Sequence, residues 1–195
     1  MIQSERLTVA ERRGQRLVIV PHAKPDIGDL IADPQSTRLI RGVEVEPLVP
    51  LPDDRGYFAE LFRFGEPGIG RDFIPIGDNH IQISVTTSYP GVIKALHYHF
   101  EQTDLWVPVE GMLQVFLCDL RETSPSCSQV NTLFMGTRRP WKLRIPPGVA
   151  HGYKVIGTET ACLIYATNRF YNPDDEGRIA FNDPNINYDW QSRPR

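Results

Sequence analysis

Proline and glycine interrupt this chain before any long helix can form: 17 prolines and 15 glycines are scattered along 195 residues. A proline inside a helix removes a backbone donor and clashes with the preceding turn, and a glycine there costs chain entropy. Short strands are what fit between such breaks, and the intervening runs are rich in β-branched and aromatic residues. The pattern predicts strands over residues 16–20, 42–49, 57–64, 81–87, 92–100, 105–109, 113–119, 129–134, 141–145, 152–156 and 161–167. One brief helical segment is expected around Asp72. Many short strands with frequent turns imply an all-β sandwich, barrel or jelly roll. Residues 1–40, with Pro21, Pro25, Pro34 and mixed charges, read as an N-terminal extension, and residues 41–195 as the β domain.

Inside the strand expected at 92–100, His97 and His99 are separated by one residue, so both project from one face. A turn through Glu101, Gln102 and Thr103 can return Asp104 toward them, and His151, after Pro146-Pro147-Gly148, can close the set. Three imidazoles and a carboxylate can coordinate a divalent transition metal, or can supply a base and hydrogen-bond donors around an enolisable sugar. The residues alone leave both chemistries open.

Composition narrows the partners. A hydrophobic fraction of 41% supplies a core for one domain, and a net charge of -3 gives no general attraction to nucleic acid or an anionic membrane. The opening Met1-Ile2-Gln3-Ser4-Glu5 has no apolar leader and no stretch has the length to span a bilayer, so a cytoplasmic protein is expected. Cys118, Cys127 and Cys162 are odd in number and widely spaced, against a disulfide framework.

A series of short motifs then occurs in order: Asp54-Arg55-Gly56-Tyr57-Phe58-Ala59-Glu60, a strand beginning Gln82-Ile83-Ser84, Gly91-Val92-Ile93-Lys94-Ala95-Leu96-His97-Tyr98, Asp119-Leu120-Arg121, Ile145-Pro146-Pro147-Gly148-Val149-Ala150-His151-Gly152-Tyr153, Tyr165, Tyr171-Asn172-Pro173, Asp183-Pro184 and Asp189-Trp190. This ordered set, over residues 42–190, resembles the dTDP-4-dehydrorhamnose 3,5-epimerase family of cupins. The resemblance implies a cupin double-stranded β-helix, a homodimer, a nucleotide-linked 4-keto-6-deoxyhexose as substrate and no required cofactor. It implies His97 as the base that removes a proton beside the ketone and Tyr171 as the acid that returns one to the opposite face. Tyr165 and His151 would line the sugar pocket, and Arg55, Phe58, Glu60 and Gln82 would contact the nucleotide or its phosphates.

Three departures from the family pattern bear on the chemistry. Lys94 stands near the place of a family arginine, keeping the charge but not the planar fork. Asp104 stands where the family has a lysine that stabilises the enolate, and an anion opposes that charge. The aspartate that orients the catalytic histidine in the family lies beyond the point where this sequence stops. The spacing Gly91, His97, His99, Asp104, Gly111 instead resembles the first motif of metal-dependent cupins, and Pro146, Gly148, His151 their second. A metal, whether iron, manganese, nickel or zinc, would sit on His97, His99, Asp104 and His151. Two alternatives to the epimerase therefore stand: a metal-dependent cupin with another reaction, such as a dioxygenase, and a non-catalytic sugar-nucleotide binding module.

Overall fold

The computed structural model describes residues 6–191 apart from 66, 76, 78 and 79. The chain starts with a hairpin of β1 (Leu7–Arg12) and β2 (Gln15–Ile19), followed by β3 (Asp29–Ile31), β4 (Glu44–Pro47) and a second hairpin of β5 (Leu51–Asp53) and β6 (Gly56–Phe58). Next come β7 (Gln82–Ser88), β8 (Ile93–His99), β9 (Asp104–Glu110), β10 (Met112–Asp119) and β11 (Val130–Gly136). The chain ends through β12 (Trp141–Ile145), β13 (Val149–Ile156), β14 (Ala161–Thr167) and β15 (Glu176–Arg178). One sheet has the order β15-β8-β13-β10-β11-β3 and the other β4-β12-β9-β14-β7, the two walls of a cupin jelly roll. No helix occurs among the described residues.

Strand β10 shows why the sequence folds this way. Leu113, Val115 and Leu117 alternate onto one face and join the core between the sheets with Leu133, Leu143 and Leu163. Phe116 and Cys118 point the other way, into a second core with Leu17, Ile19, Leu120, Tyr188 and Trp190. A strand apolar on both faces needs cover on both, and here the outer cover comes from the two ends of the chain. Phe116 meets Tyr188 edge-on at 4.7 Å, and Tyr188 meets Trp190 at 4.6 Å.

Of the residues 1–40 expected as an extension, the described ones, 6–40, thus share in the fold. Leu17 and Ile31 are fully buried, and β3 pairs in parallel with β11. The strand predicted over 57–64 ends at Phe58, because Phe62 and Phe64 turn inward to pack with Phe73 and Ile69. The helical segment expected at Asp72 is a turn in which Asp72 takes φ 54°, a left-handed conformation that a right-handed helix cannot continue. Gly111 makes the tight β9–β10 turn with φ 67°, and a Cβ there would lie 2.7 Å from the Thr160 carbonyl oxygen.

Candidate active site

One cavity of about 300 Å³ opens between the sheets. The six-stranded wall gives it Lys94, His97 and His99 from β8 and His151 from β13; the facing wall gives Asp104 and Trp106 from β9 and Tyr165 from β14. Gln82, Tyr171 and Glu176 also line it. Of the residues singled out from the sequence, Arg55, Phe58 and Glu60 lie outside it. Phe58 is 67% exposed on the β5–β6 hairpin, and the side chains of Arg55 and Glu60 bond Asp53 and Arg63 instead.

Lys94 has the wrong strand parity to share a pocket with His97, and a bulge corrects it. Opposite β13, His151 faces His97 and Tyr153 faces Lys94, so three steps along β8 match two along its neighbour. Gly152 sits at this point, where a side chain would meet Ala95 Cβ at 2.5 Å. Lys94 Nζ rests on Thr86 Oγ1.

The four-residue metal set does not form as expected. His99, Asp104 and His151 are buried together, with one ligand atom of each within 4.8 Å of the others, but His97 is not part of that group. Its Nδ1 lies 3.5 Å from Glu176 Oε1, since β15 runs alongside β8 and brings the carboxylate there. Glu176 was not anticipated: it ends the run Asp174-Asp175-Glu176, and nothing in the sequence says which acid reaches a histidine. Burial acts to raise its pKa, but the hydrogen bond from Arg178 and the charges of His97 and Arg178 outweigh that, and it falls below the ordinary value. A glutamate thus stands beside this histidine.

Two further residues went unanticipated. The Gln102 side-chain nitrogen donates to Asp104 Oδ1 at 2.7 Å and lies 3.2 Å from His99 Nε2. Trp106 Nε1 donates to Asp104 Oδ2 at 3.2 Å. His151 Nδ1 donates to the Val149 carbonyl at 3.0 Å, which leaves Nε2 turned to Asp104 Oδ2 at 3.6 Å. Burial, above all, pushes the His151 pKa down to about 4, against the pull of Asp104, so the ring is neutral near pH 7.

The tyrosines differ in placement. Tyr165 is half-buried on β14, opposite Trp106 in the ladder. Tyr171 lies beyond the end of β14, is 63% exposed, and is held through its backbone nitrogen by Gln82 Oε1 at 3.3 Å.

The model of the dTDP-4-dehydrorhamnose 3,5-epimerase family matches residues 37–195, most of the chain and the whole of this cavity. The chain belongs to the dTDP-4-dehydrorhamnose 3,5-epimerase family. Among relatives of this epimerase family, the spore coat polysaccharide biosynthesis protein SpsL of Bacillus subtilis is 44% identical over 80% of this chain and 100% of its own length. The dTDP-4-dehydrorhamnose 3,5-epimerase of Shigella flexneri is 34% identical over 71% of this chain and 76% of its own. A crystal structure of dTDP-6-deoxy-D-glucose-3,5-epimerase from Legionella pneumophila, in complex with dTDP-4-keto-L-rhamnose, superposes with TM-score 0.66 at 26% identity, covering 80% of each chain. The activity class of this epimerase is accordingly that of an isomerase acting on a sugar nucleotide.

Proposed function

We propose that the chain epimerises a dTDP-linked 4-keto-6-deoxyhexose at carbon next to the ketone, with His97 as base. The observation that carries this reading is the His97–Glu176 pair inside the cavity. With Nδ1 directed at the carboxylate, His97 presents Nε2 to the substrate, and Glu176 stabilises the imidazolium that forms. The C–H electron pair moves into the carbon–carbon bond and the ketone oxygen becomes an enolate. Lys94, brought into the cavity by the bulge, offers that oxygen a positive charge. A tyrosine O–H then returns a proton to the other face of the sugar ring. Tyr165 suits that step, because it stands on the wall opposite His97, while Tyr171 at the exposed mouth suits covering the sugar or nucleotide. This route uses no cofactor and leaves His99, Asp104 and His151 without a chemical task.

The same reading assigns Arg55, Phe58 and Glu60 to the cavity of a second copy in a homodimer. Two features support it: the β5–β6 hairpin carries Leu51, Tyr57 and Phe58 at 60–67% exposure, and β7, at a sheet edge, exposes Ile83 and Val85. The reaction is tested by incubating the protein with dTDP-4-keto-6-deoxy-D-glucose in D2O and following its proton spectrum. Loss of the signals of the carbons flanking the ketone is expected. Unchanged signals with this sugar and with other nucleotide-linked 4-keto sugars would overturn the reading.

A further inference from the structure

The cavity holds two separate sets of chemistry-bearing groups. His97 and Glu176 form one, and His99, Asp104 and His151, the other, contribute nothing to the proton transfer described above. The second set has unsatisfied valences. His99 is 7% exposed, yet its Nδ1 has no hydrogen-bond partner. His151 gives its Nδ1 hydrogen to the Val149 carbonyl, which turns its Nε2 toward Asp104. That nitrogen lies 3.6 Å from Asp104 Oδ2. At that distance the two are too far apart for a hydrogen bond, and no lysine or arginine pairs with the buried Asp104 among the described residues.

We propose that His99, Asp104 and His151 form a binding site for one divalent transition-metal ion in the cavity, separate from the His97–Glu176 pair. The binding does not rest on the epimerase reading. Two imidazoles and one carboxylate form a three-ligand set that leaves coordination positions open. Ligands about 2.1 Å from a shared ion stand about 3.0–3.4 Å apart, so the three ligand atoms, 3.6 Å apart for His151 and Asp104 and all within 4.8 Å of one another, have to draw in on an ion. The supporting contacts are of the kind that metal ligands use. The Val149 carbonyl fixes the His151 tautomer with Nε2 inward, and Gln102 and Trp106 orient the Asp104 carboxylate. Because His97 turns to Glu176 and not to this set, its lone pair is not spent on the ion.

The test starts from the full chain purified without an affinity tag or chelator, with metals measured by mass spectrometry. The protein is then stripped and titrated calorimetrically with zinc and manganese at pH 7.5, and cobalt is added to read the visible spectrum. About one equivalent of metal per chain with micromolar or tighter affinity is expected, together with cobalt bands typical of nitrogen and oxygen ligands. Asp104→Asn and His99→Gln should each weaken binding at least tenfold, with thermal unfolding confirming that the variants are folded. Less than a tenth of an equivalent in the reloaded native chain, or unchanged affinity in Asp104→Asn, would overturn the proposal. Solvent exchange into the keto sugar separates the two readings. Metal bound with no exchange on any nucleotide-linked keto sugar upholds the ion site and removes the epimerase reading; full exchange by stripped protein that takes up no metal does the reverse.

Discussion

Asp119 and Asp104 are both buried aspartates at strand ends, and they are treated differently. Asp119, at the end of β10, accepts from the backbone nitrogen and guanidinium of Arg121 and from the hydroxyls of Ser124 and Ser126. Asp104, at the start of β9, accepts one amide and one indole and otherwise faces an imidazole nitrogen. The first has all its bonding capacity met from within, and it ties the 119–128 turn to the barrel. The second is left with capacity to spare at a cavity. A fully bonded buried charge makes structure, and one held short of its partners is available to a ligand.

The largest effect that would sharpen this contrast is Asp119→Ala. It strands the Arg121 guanidinium and two hydroxyls, and should cost about 3–5 kcal/mol in denaturant unfolding. A loss below about 1 kcal/mol would break the comparison. Gly148→Ala strikes the same cluster from outside. Gly148 has φ 76°, and a Cβ would lie 2.4 Å from Arg121 Cγ, so a cost of about 1–3 kcal/mol is expected by the same measurement.

Acid should find the cluster as well. Burial acts to raise the Asp119 pKa, but its bonds from Arg121, Ser124 and Ser126 hold it below the ordinary carboxylate value. A carboxyl whose folded pKa is depressed contributes stability above its unfolded pKa, roughly pH 4, and loses it as pH falls through the folded value. The unfolding free energy of the native protein should therefore drop below about pH 4, and Asp119→Asn should flatten that limb. The smallest effect is expected at the other aspartate. Asp104→Asn should cost about 1 kcal/mol, because an amide nitrogen in place of Oδ2 loses the Trp106 indole bond while the amide oxygen keeps the one from Gln102.

The fold was legible in the sequence where side-chain pattern dictates it. The strands were readable from the prolines, glycines and β-branched runs between them, and the doubly apolar β10 announces a strand covered on both sides. The cavity residues His97, His99, Asp104 and His151 were readable from spacing, because a strand's two-residue period fixes which neighbours share a face. What escaped depends on register and on distant pairing. The β8 bulge, which admits Lys94, leaves no mark in the local sequence. Glu176 reaches His97 only because a three-residue strand happens to pair there. The role of Leu17 and Ile19 in covering Phe116 is a matter of which apolar face finds which, and the nearby prolines hid it.

The central claim is that His97, held by Glu176, moves the proton while the fold is kept by other groups. The direct measurement is the rate at which deuterium from solvent enters dTDP-4-keto-6-deoxy-D-glucose with the native chain and with His97→Asn, alongside thermal unfolding of both. Exchange about 10³-fold slower in the variant, with its melting temperature unchanged, is the predicted result. Exchange at the native rate in a folded His97→Asn protein would contradict the account.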